Sequence, residues 1–371
     1  MSQLHDAVAK DQEYFNLNID SHSIDIVENI KNFSKSVLQK NAFSEIEKLQ
    51  PKDAINYLNE LDLQSLFFPE NYDGVNADMR TVMLVLTELG YGDLDFGILY
   101  FTRVEGIMAL QMTGLLEDLA ESNVQDLRSG QTVLGLLDLW DCNQRIALSI
   151  EPLTISGQFD FCLVPQMATG FITLMKIIHF NNSLISLFWL NEKNKISFTK
   201  RKLIGINATD VLSGRVQVED TAAVRLIEEK GPFQMAKLYC ARTIMKCSLL
   251  YGALSSCYNY AFNYAKGRRA FGQSIIRHQA ISMRLGTELS YLESARLLLW
   301  KAAASFDSGN YIIHEMDLLT SHFFTIAQDV TKQCVQIAAG HGYTESYPFA
   351  KWYRDCMALA TLVANKSLLV R

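Results

Sequence analysis

A double switch in hydrophobic period constrains this chain most. From about residue 21 to 128 the apolar residues recur at helical spacing. Ile24, Ile26, Val27, Ile30 and Phe33 approximate one helical stripe, and Val82, Val85, Leu86 and Leu89 another. Pro69, Asn71 and Gly74 supply turn geometry between helices. The pattern changes at Ser129-Gly130. Up to about Val224, apolar residues alternate or run in short bursts (161–164, 171–175, 184–190, 215–218), punctuated by Gly135, Gly157, Gly170, Gly205 and Gly214. That pattern predicts short strands in a small antiparallel unit. Helical spacing returns at Gly231-Pro232. Ile281, Leu285, Leu289, Leu292 and Leu299 lie on one helix face, and breaks at 267–272, 308–310 and 340–343 leave about four long helices. The expected fold class is α+β, with an N-terminal helical domain (1–128), a middle antiparallel β domain of sandwich or barrel type (129–226) and a C-terminal four-helix bundle (227–371).

Composition narrows the classes of function. Hydrophobic residues make up 49% of 371, enough for a sizeable core, and the net charge of −6 comes from mixed signs without a Lys/Arg block. Nucleic acid is therefore not an expected partner. Seven cysteines (Cys142, Cys162, Cys240, Cys247, Cys257, Cys334, Cys356) form no C-x-x-C pair and fall mostly in apolar stretches. They read as reduced, buried thiols of a cytoplasmic protein. No His/Cys cluster has metal-ligand spacing, so no metal is expected. Residues 1–20 are polar and acidic, unlike a secretory signal. No apolar run reaches the ~18–20 residues of a membrane span. The most apolar stretch, 159–180, is interrupted by Asp160, Gln166 and Lys176 and reads as paired strands.

Several tracts resemble the acyl-CoA dehydrogenase family. Arg268-Arg269-Ala270-Phe271-Gly272-Gln273-Ser274-Ile275-Ile276-Arg277-His278-Gln279 is similar to R-x-x-F-G-x-x-[IL]-x-x-x-Q. Gln336-Ile337-Ala338-Ala339-Gly340-His341-Gly342-Tyr343, followed by Tyr347-Pro348 and Arg354-Asp355, resembles Q-[IV]-x-G-G-x-G-[YF], Y-P and R-D. Pro69-Glu70-Asn71-Tyr72-Asp73-Gly74 and Glu88-Leu89-Gly90 resemble P-E-x-Y-G-G and E-[EL]-[LM]-G, and Leu203-Ile204-Gly205-Ile206 and Val216-Gln217-Val218-Glu219-Asp220 resemble strands before the bundle. The matches keep the family's order over residues 61–355.

The resemblance implies an FAD-dependent oxidoreductase acting on the CH–CH group of an acyl thioester, carried on CoA or on an acyl-carrier protein. It implies that Arg268 meets the FAD pyrophosphate of a neighbouring subunit, where a guanidinium offers paired donors to phosphate oxygens. Phe271 and Gln279 would lie near the same cofactor, and Gln336 and Gly340 at its adenosine end. Ala339 departs from the pattern, adding a methyl where the family has glycine.

A larger departure concerns the base. The α-proton of a thioester is weakly acidic, so a positioned carboxylate must take it. The family's two positions for that glutamate fall here on Val363 and Arg242, with no Asp or Glu in 356–371 or 231–287. The flavin-cradling T-E-P-x-x-G-S-D falls on 137–143, where only Asp138 and Trp140 offer partial equivalents, and Phe159-Asp160-Phe161-Cys162-Leu163 lacks the family's W-I-T. No catalytic residue is therefore assigned. FAD is expected to be held weakly or shared across a subunit interface, in a homo- or hetero-oligomer with an acyl-CoA dehydrogenase-type chain. The apolar face Leu249, Leu250, Leu254, Tyr258 and Phe262 is expected to need that partner. Three readings stand: a thioester oxidoreductase with an unusual base such as Glu228 or Glu229, a catalytically incomplete subunit that completes another chain's flavin site, and a flavin monooxygenase on the same fold. His278, His341 and the aromatic run 251–264 read as structural, and Tyr343 and Tyr347 as residues beside a glycine turn.

Overall fold

The computed structural model describes residues 21–42, 50–137, 146–150, 153–179, 182–190, 195–225, 232–311 and 313–364. The helical start comprises α1 (Ser21–Phe33), continued by a π-helical stretch and a final turn to Ala42, then α2 (Pro51–Glu60), α3 (Met79–Gly92), α4 (Leu94–Thr113) and α5 (Glu121–Arg128). Short 3₁₀ turns at Leu63–Phe67 and Glu70–Tyr72 occupy the predicted turn region, with Asp73 left-handed (φ 55°). α3 begins with a side-chain cap, the Asp78 carboxylate accepting from the Thr81 N–H at 2.8 Å.

Among the described residues seven strands form the middle region: β1 (Leu134–Leu137), β2 (Ile146–Ile150), β3 (Leu153–Pro165), β4 (Gly170–His179), β5 (Asn182–Leu190), β6 (Ile196–Lys200) and β7 (Val211–Arg225). Their order is β1-β4-β5-β7-β3-β2, with β6 also on β7. The pairings are antiparallel as expected, apart from the parallel β1–β4 pair. One reading needs correction. Residues 159–180 do contribute two strands, β3 and β4, but these do not pair with each other. β3 lies between β2 and β7, and β4 between β1 and β5. Alternation reveals strands, whereas sheet neighbours are chosen by long-range packing.

The bundle consists of α6 (Pro232–Gly267), α7 (Gln279–Asp307), α8 (Ile313–Ala338) and α9 (Phe349–Ala364), with a two-residue-strand hairpin, β8 (Arg269–Ala270) and β9 (Gln273–Ser274), after α6. α6 is the central helix, touched by α3, α4, α7, α8 and α9. A helix surrounded in this way is apolar all round. Leu249, Leu250, Leu254 and Tyr258 are accordingly buried within this chain, and Phe262 packs against the same core. The expectation that this face needs a partner chain is thereby overturned.

Two glycines set the contact between α3 and α6. A Cβ at Gly90 would strike the Leu249 carbonyl, and one at Gly252 would strike the Thr87 carbonyl. The E-L-G resemblance at 88–90 thus marks a close backbone approach. The six cysteines within the described residues are buried and form no disulfide with one another.

Candidate functional site

α4 carries Ile98, Phe101 and Glu105 at three- and four-residue spacing, so all three share one face. α6 presents Arg242 and Lys246 on another face, α9 presents Leu359 and Leu362, and β1 and β3 contribute Leu136 and Leu163. These nine residues line one narrow cleft, with an inner volume of ≈ 20 Å³. Val363, the first family base position, is buried next to the cleft-lining Leu362. Arg242, the second, is in the cleft itself.

The cleft does contain a carboxylate. Arg242 Nε donates to Glu105 Oε1 at 2.6 Å, with side-chain exposures of 7% and 5%. No other hydrogen bond reaches the Glu105 carboxylate among the described residues. Both charges are costly to bury alone, and each offsets the other's desolvation. The Lys246 ammonium lies 5.7 Å from the centre of the Phe101 ring. The sequence reading missed Glu105. The available signal was an acid inside the apolar run of α4, between Val104 and Ile107, where only a partnered charge is tolerated.

A buried ionic hub holds the walls together. Lys351 Nζ, on α9, donates to Asp355 at 2.8 Å and lies 2.9 Å from Asp95 and 3.4 Å from Asp93 at the start of α4. Asp355 also accepts the Ile206 N–H at 2.9 Å, and Gly205 packs on the Arg354 carbonyl. Two tracts read separately in the sequence, 203–206 and 354–355, therefore meet. Burial alone would lower the Lys351 ammonium, but its three carboxylates outweigh that and hold it well above its ordinary value. Burial pushes Asp93 and Asp355 upward.

The predicted cofactor residues lie elsewhere, on an exposed surface. Arg268 follows the end of α6. Phe271 sits in the hairpin at φ 50° and is 95% exposed. Gln279 opens α7, and Gln336 lies in the last turn of α8; both are exposed. Gly340 is in the following 3₁₀ turn (Ala339–Tyr343), with no atom within 4 Å of where a Cβ would stand. Ala339 takes the strained left-handed conformation (φ 52°) that the family's glycine adopts freely. Tyr264 links the two groups, its hydroxyl 2.9 Å from His341 Nδ1 and 3.5 Å from the Ala338 carbonyl. His341 stacks on Tyr347 at 4.7 Å. The side chains of Arg268, Gln279 and Gln336 have no partner among the described residues. A free guanidinium, two carboxamides and an open glycine fit the diphosphate and nucleoside of FAD by donor chemistry. The positions matched to the flavin cradle (Asp138 and Trp140 within 138–143) and the acids Glu228 and Glu229 lie outside the described residues.

The cleft and this surface are far apart. Helix α6 rises about 37 Å between Arg242 and Gly267 at 1.5 Å per residue.

Comparison with known proteins accords with this architecture. Family models for the N-terminal and C-terminal domains of acyl-CoA dehydrogenases match residues 21–116 and 232–362, together more than half of the chain. The mitochondrial short/branched chain specific acyl-CoA dehydrogenase of Bos taurus is 33% identical over 104 residues, 28% of this chain and 24% of that protein. Matches to the bovine protein and to two others of similar rank span under half of those proteins' length. The short-chain specific acyl-CoA dehydrogenase of Clostridium acetobutylicum is 22% identical over 82% of this chain and 84% of its own. Among solved structures, butyryl-CoA dehydrogenase from Megasphaera elsdenii superposes with TM-score 0.77 at 21% identity, covering 94% of this chain and 98% of that one. A prolyl acyl carrier protein oxidase superposes with TM-score 0.78 at 17% identity, covering 93% and 98%. On the match of both flanking domains, this chain belongs to the acyl-CoA dehydrogenase family.

Proposed function

We propose that this chain is a flavin-dependent oxidoreductase acting on the CH–CH bond of an acyl thioester, carried on CoA or on an acyl-carrier protein. The observation that carries the reading is the cleft between α4, α6 and α9. Its walls are apolar, and Arg242 and the neighbourhood of Val363, the two family base positions, converge on it. Ile98, Phe101, Leu136, Leu163, Leu359 and Leu362 receive the acyl chain and exclude water. The cations of Arg242 and Lys246 favour negative charge developing on the thioester carbonyl as the α-proton leaves. Arg268, Gln279, Gln336 and Gly340 hold FAD, with Phe271 packing beside it. When bound, the flavin supplies the acceptor for the β-hydride. Relatives named for either carrier, the butyryl-CoA dehydrogenase and the prolyl acyl carrier protein oxidase, support leaving both carriers in the reading.

A second reading, the catalytically incomplete subunit, draws on the separation of the two surfaces. About 37 Å of helix between them supports a role for the Arg268 set away from the cleft of its own chain. It serves a neighbour, which is a second copy or a different dehydrogenase-type chain.

The visible spectrum of the purified chain tests both readings, followed by anaerobic addition of butanoyl-CoA. A yellow protein bleached by the thioester supports the first. Colour and bleaching only after co-expression with a second dehydrogenase-type chain support the subunit reading. A colourless chain that takes up no flavin in either setting refutes both.

A further inference from the structure

We infer that Glu105 is the proton acceptor of the cleft, replacing the glutamate absent from positions 363 and 242. The inference rests on the thioester reading above and deepens it.

The argument is one of atom positions. In the family's alternative arrangement the base is a glutamate at the place of Arg242. A glutamate oxygen stands four bonds from Cα, and so does an arginine Nε. Arg242 Nε therefore stands at the reach from the helix that such an oxygen would have. Glu105 Oε1 is 2.6 Å from it. The carboxylate arrives from α4 instead of α6, at a point one hydrogen bond removed.

Three further features suit the role. Glu105 is the only carboxylate among the described residues that line the cleft. It is an acceptor held in place by the Arg242 guanidinium, which orients it. Its surroundings are apolar on both sides, with Phe101 and Ile98 one and two turns away on the same helix face. A carboxylate oriented in a dry, apolar cleft is what removal of a weakly acidic carbon proton requires. The substitution at 242 and the acid at 105 are thus one exchange: the base has crossed the cleft, and a cation fills its former place.

The proposed step balances without any redox partner. The Cα–H bond of the thioester breaks, an O–H bond forms on the Glu105 carboxylate, and the electron pair is left on the thioester as its enolate. Reversal in deuterated water returns a deuteron. The step can therefore be read by exchange, independently of flavin reduction.

The test uses the whole purified chain with butanoyl-CoA, and the same acyl group on a phosphopantetheinylated carrier protein, in D₂O. Deuterium at the α-carbon is followed by mass spectrometry, and thioester binding by calorimetry. Glu105→Gln keeps the shape and an oxygen to accept from Arg242, and thermal unfolding checks that it folds. Glu105→Asp keeps the carboxylate one methylene shorter. The expected result is exchange by the wild type, a loss of about 10²–10⁴-fold in Glu105→Gln with binding retained, and partial return in Glu105→Asp. Equal exchange by wild type and Glu105→Gln overturns the assignment and leaves the thioester reading standing. Wild type that binds thioester without exchanging it also overturns the assignment. Wild type that binds neither thioester overturns the functional reading, and the assignment falls with it.

Discussion

Replacing Glu288 by glutamine should stabilise the protein at alkaline pH and leave it unchanged near pH 4. Glu288 lies on the buried stripe of α7, between Leu285 and Leu292, and is 3% exposed. Its Oε2 is buried without a hydrogen-bond partner. Burial pushes its carboxyl from 4.5 to about 7, the Asp329 carboxylate adds to that, and Arg284 opposes it. The folded-state value is raised above the unfolded one. Glu288 therefore contributes its stability fully below about pH 4.5, and that contribution is lost as pH rises through about 7. A rise of 2.5 pH units corresponds to a ceiling of about 3.4 kcal/mol, on the order of 2–3 after local relaxation. Thermal unfolding of wild type and Glu288→Gln from pH 4 to 8.5 measures it. The two curves should nearly coincide at pH 4 and separate by a few degrees at pH 8, the mutant being more stable. A gap of the same size at both pH values would refute the reasoning, because a packing effect does not titrate. A wild type as stable as the mutant at pH 8 would refute it as well.

Two other perturbations follow from the same structure. Arg268→Ala should weaken FAD binding roughly ten- to a hundred-fold, the ~1.5–3 kcal/mol of a charge-assisted phosphate contact, in a fluorescence titration of the stripped protein. Lys351→Met leaves Asp93, Asp95 and Asp355 around a missing cation. It should cost about 3 kcal/mol in urea unfolding, the low end for breaking a buried ion pair because the lysine is 30% exposed.

Local physics made most of the architecture legible. The stripe at 281, 285, 289, 292 and 299 lies on α7, and the three predicted breaks in the bundle coincide with the β8–β9 hairpin, the Ser308–Asn310 turn and the Ala339–Tyr343 turn. Each is a short-range signal: a 3.6-residue period, or a glycine at a helix end. What the sequence concealed is long-range. Nothing near residue 249 distinguishes a helix face buried by its own chain from one awaiting a partner, because both are apolar. The sheet order of β3 and β4 is fixed by β7 and β1. The Glu105–Arg242 pair joins residues 137 apart. Glu228 and Glu229 were the natural acids to nominate because they precede α6 in the sequence. Those two lie outside the described residues, among which the carboxylate lining the cleft comes from α4, a helix packed against α6 in space.

The distance along α6 turns the oligomer question into a complementation experiment. Suppose the chain assembles with itself and each cleft uses the Arg268 surface of its neighbour. A chain carrying Arg268→Ala still has Glu105, and a chain carrying Glu105→Gln still has Arg268. In a mixed dimer of the two, the first chain's cleft meets an intact Arg268, so one site is whole and the other lacks both groups. Random assembly of equal amounts makes about half of all dimers mixed, so about a quarter of wild-type sites should return where each variant alone has almost none. If Arg268 acted within its own chain, every site in the mixture would carry a lesion and no activity would return. If the chain required a different partner, mixing the two variants would do nothing, but each would regain function according to which of its two surfaces the partner replaces. Thioester-dependent flavin bleaching, read after unfolding and refolding the variants together, separates these cases. A return near a quarter would also show that this chain's cleft and its Arg268 surface, about 37 Å of helix apart, belong to two different sites.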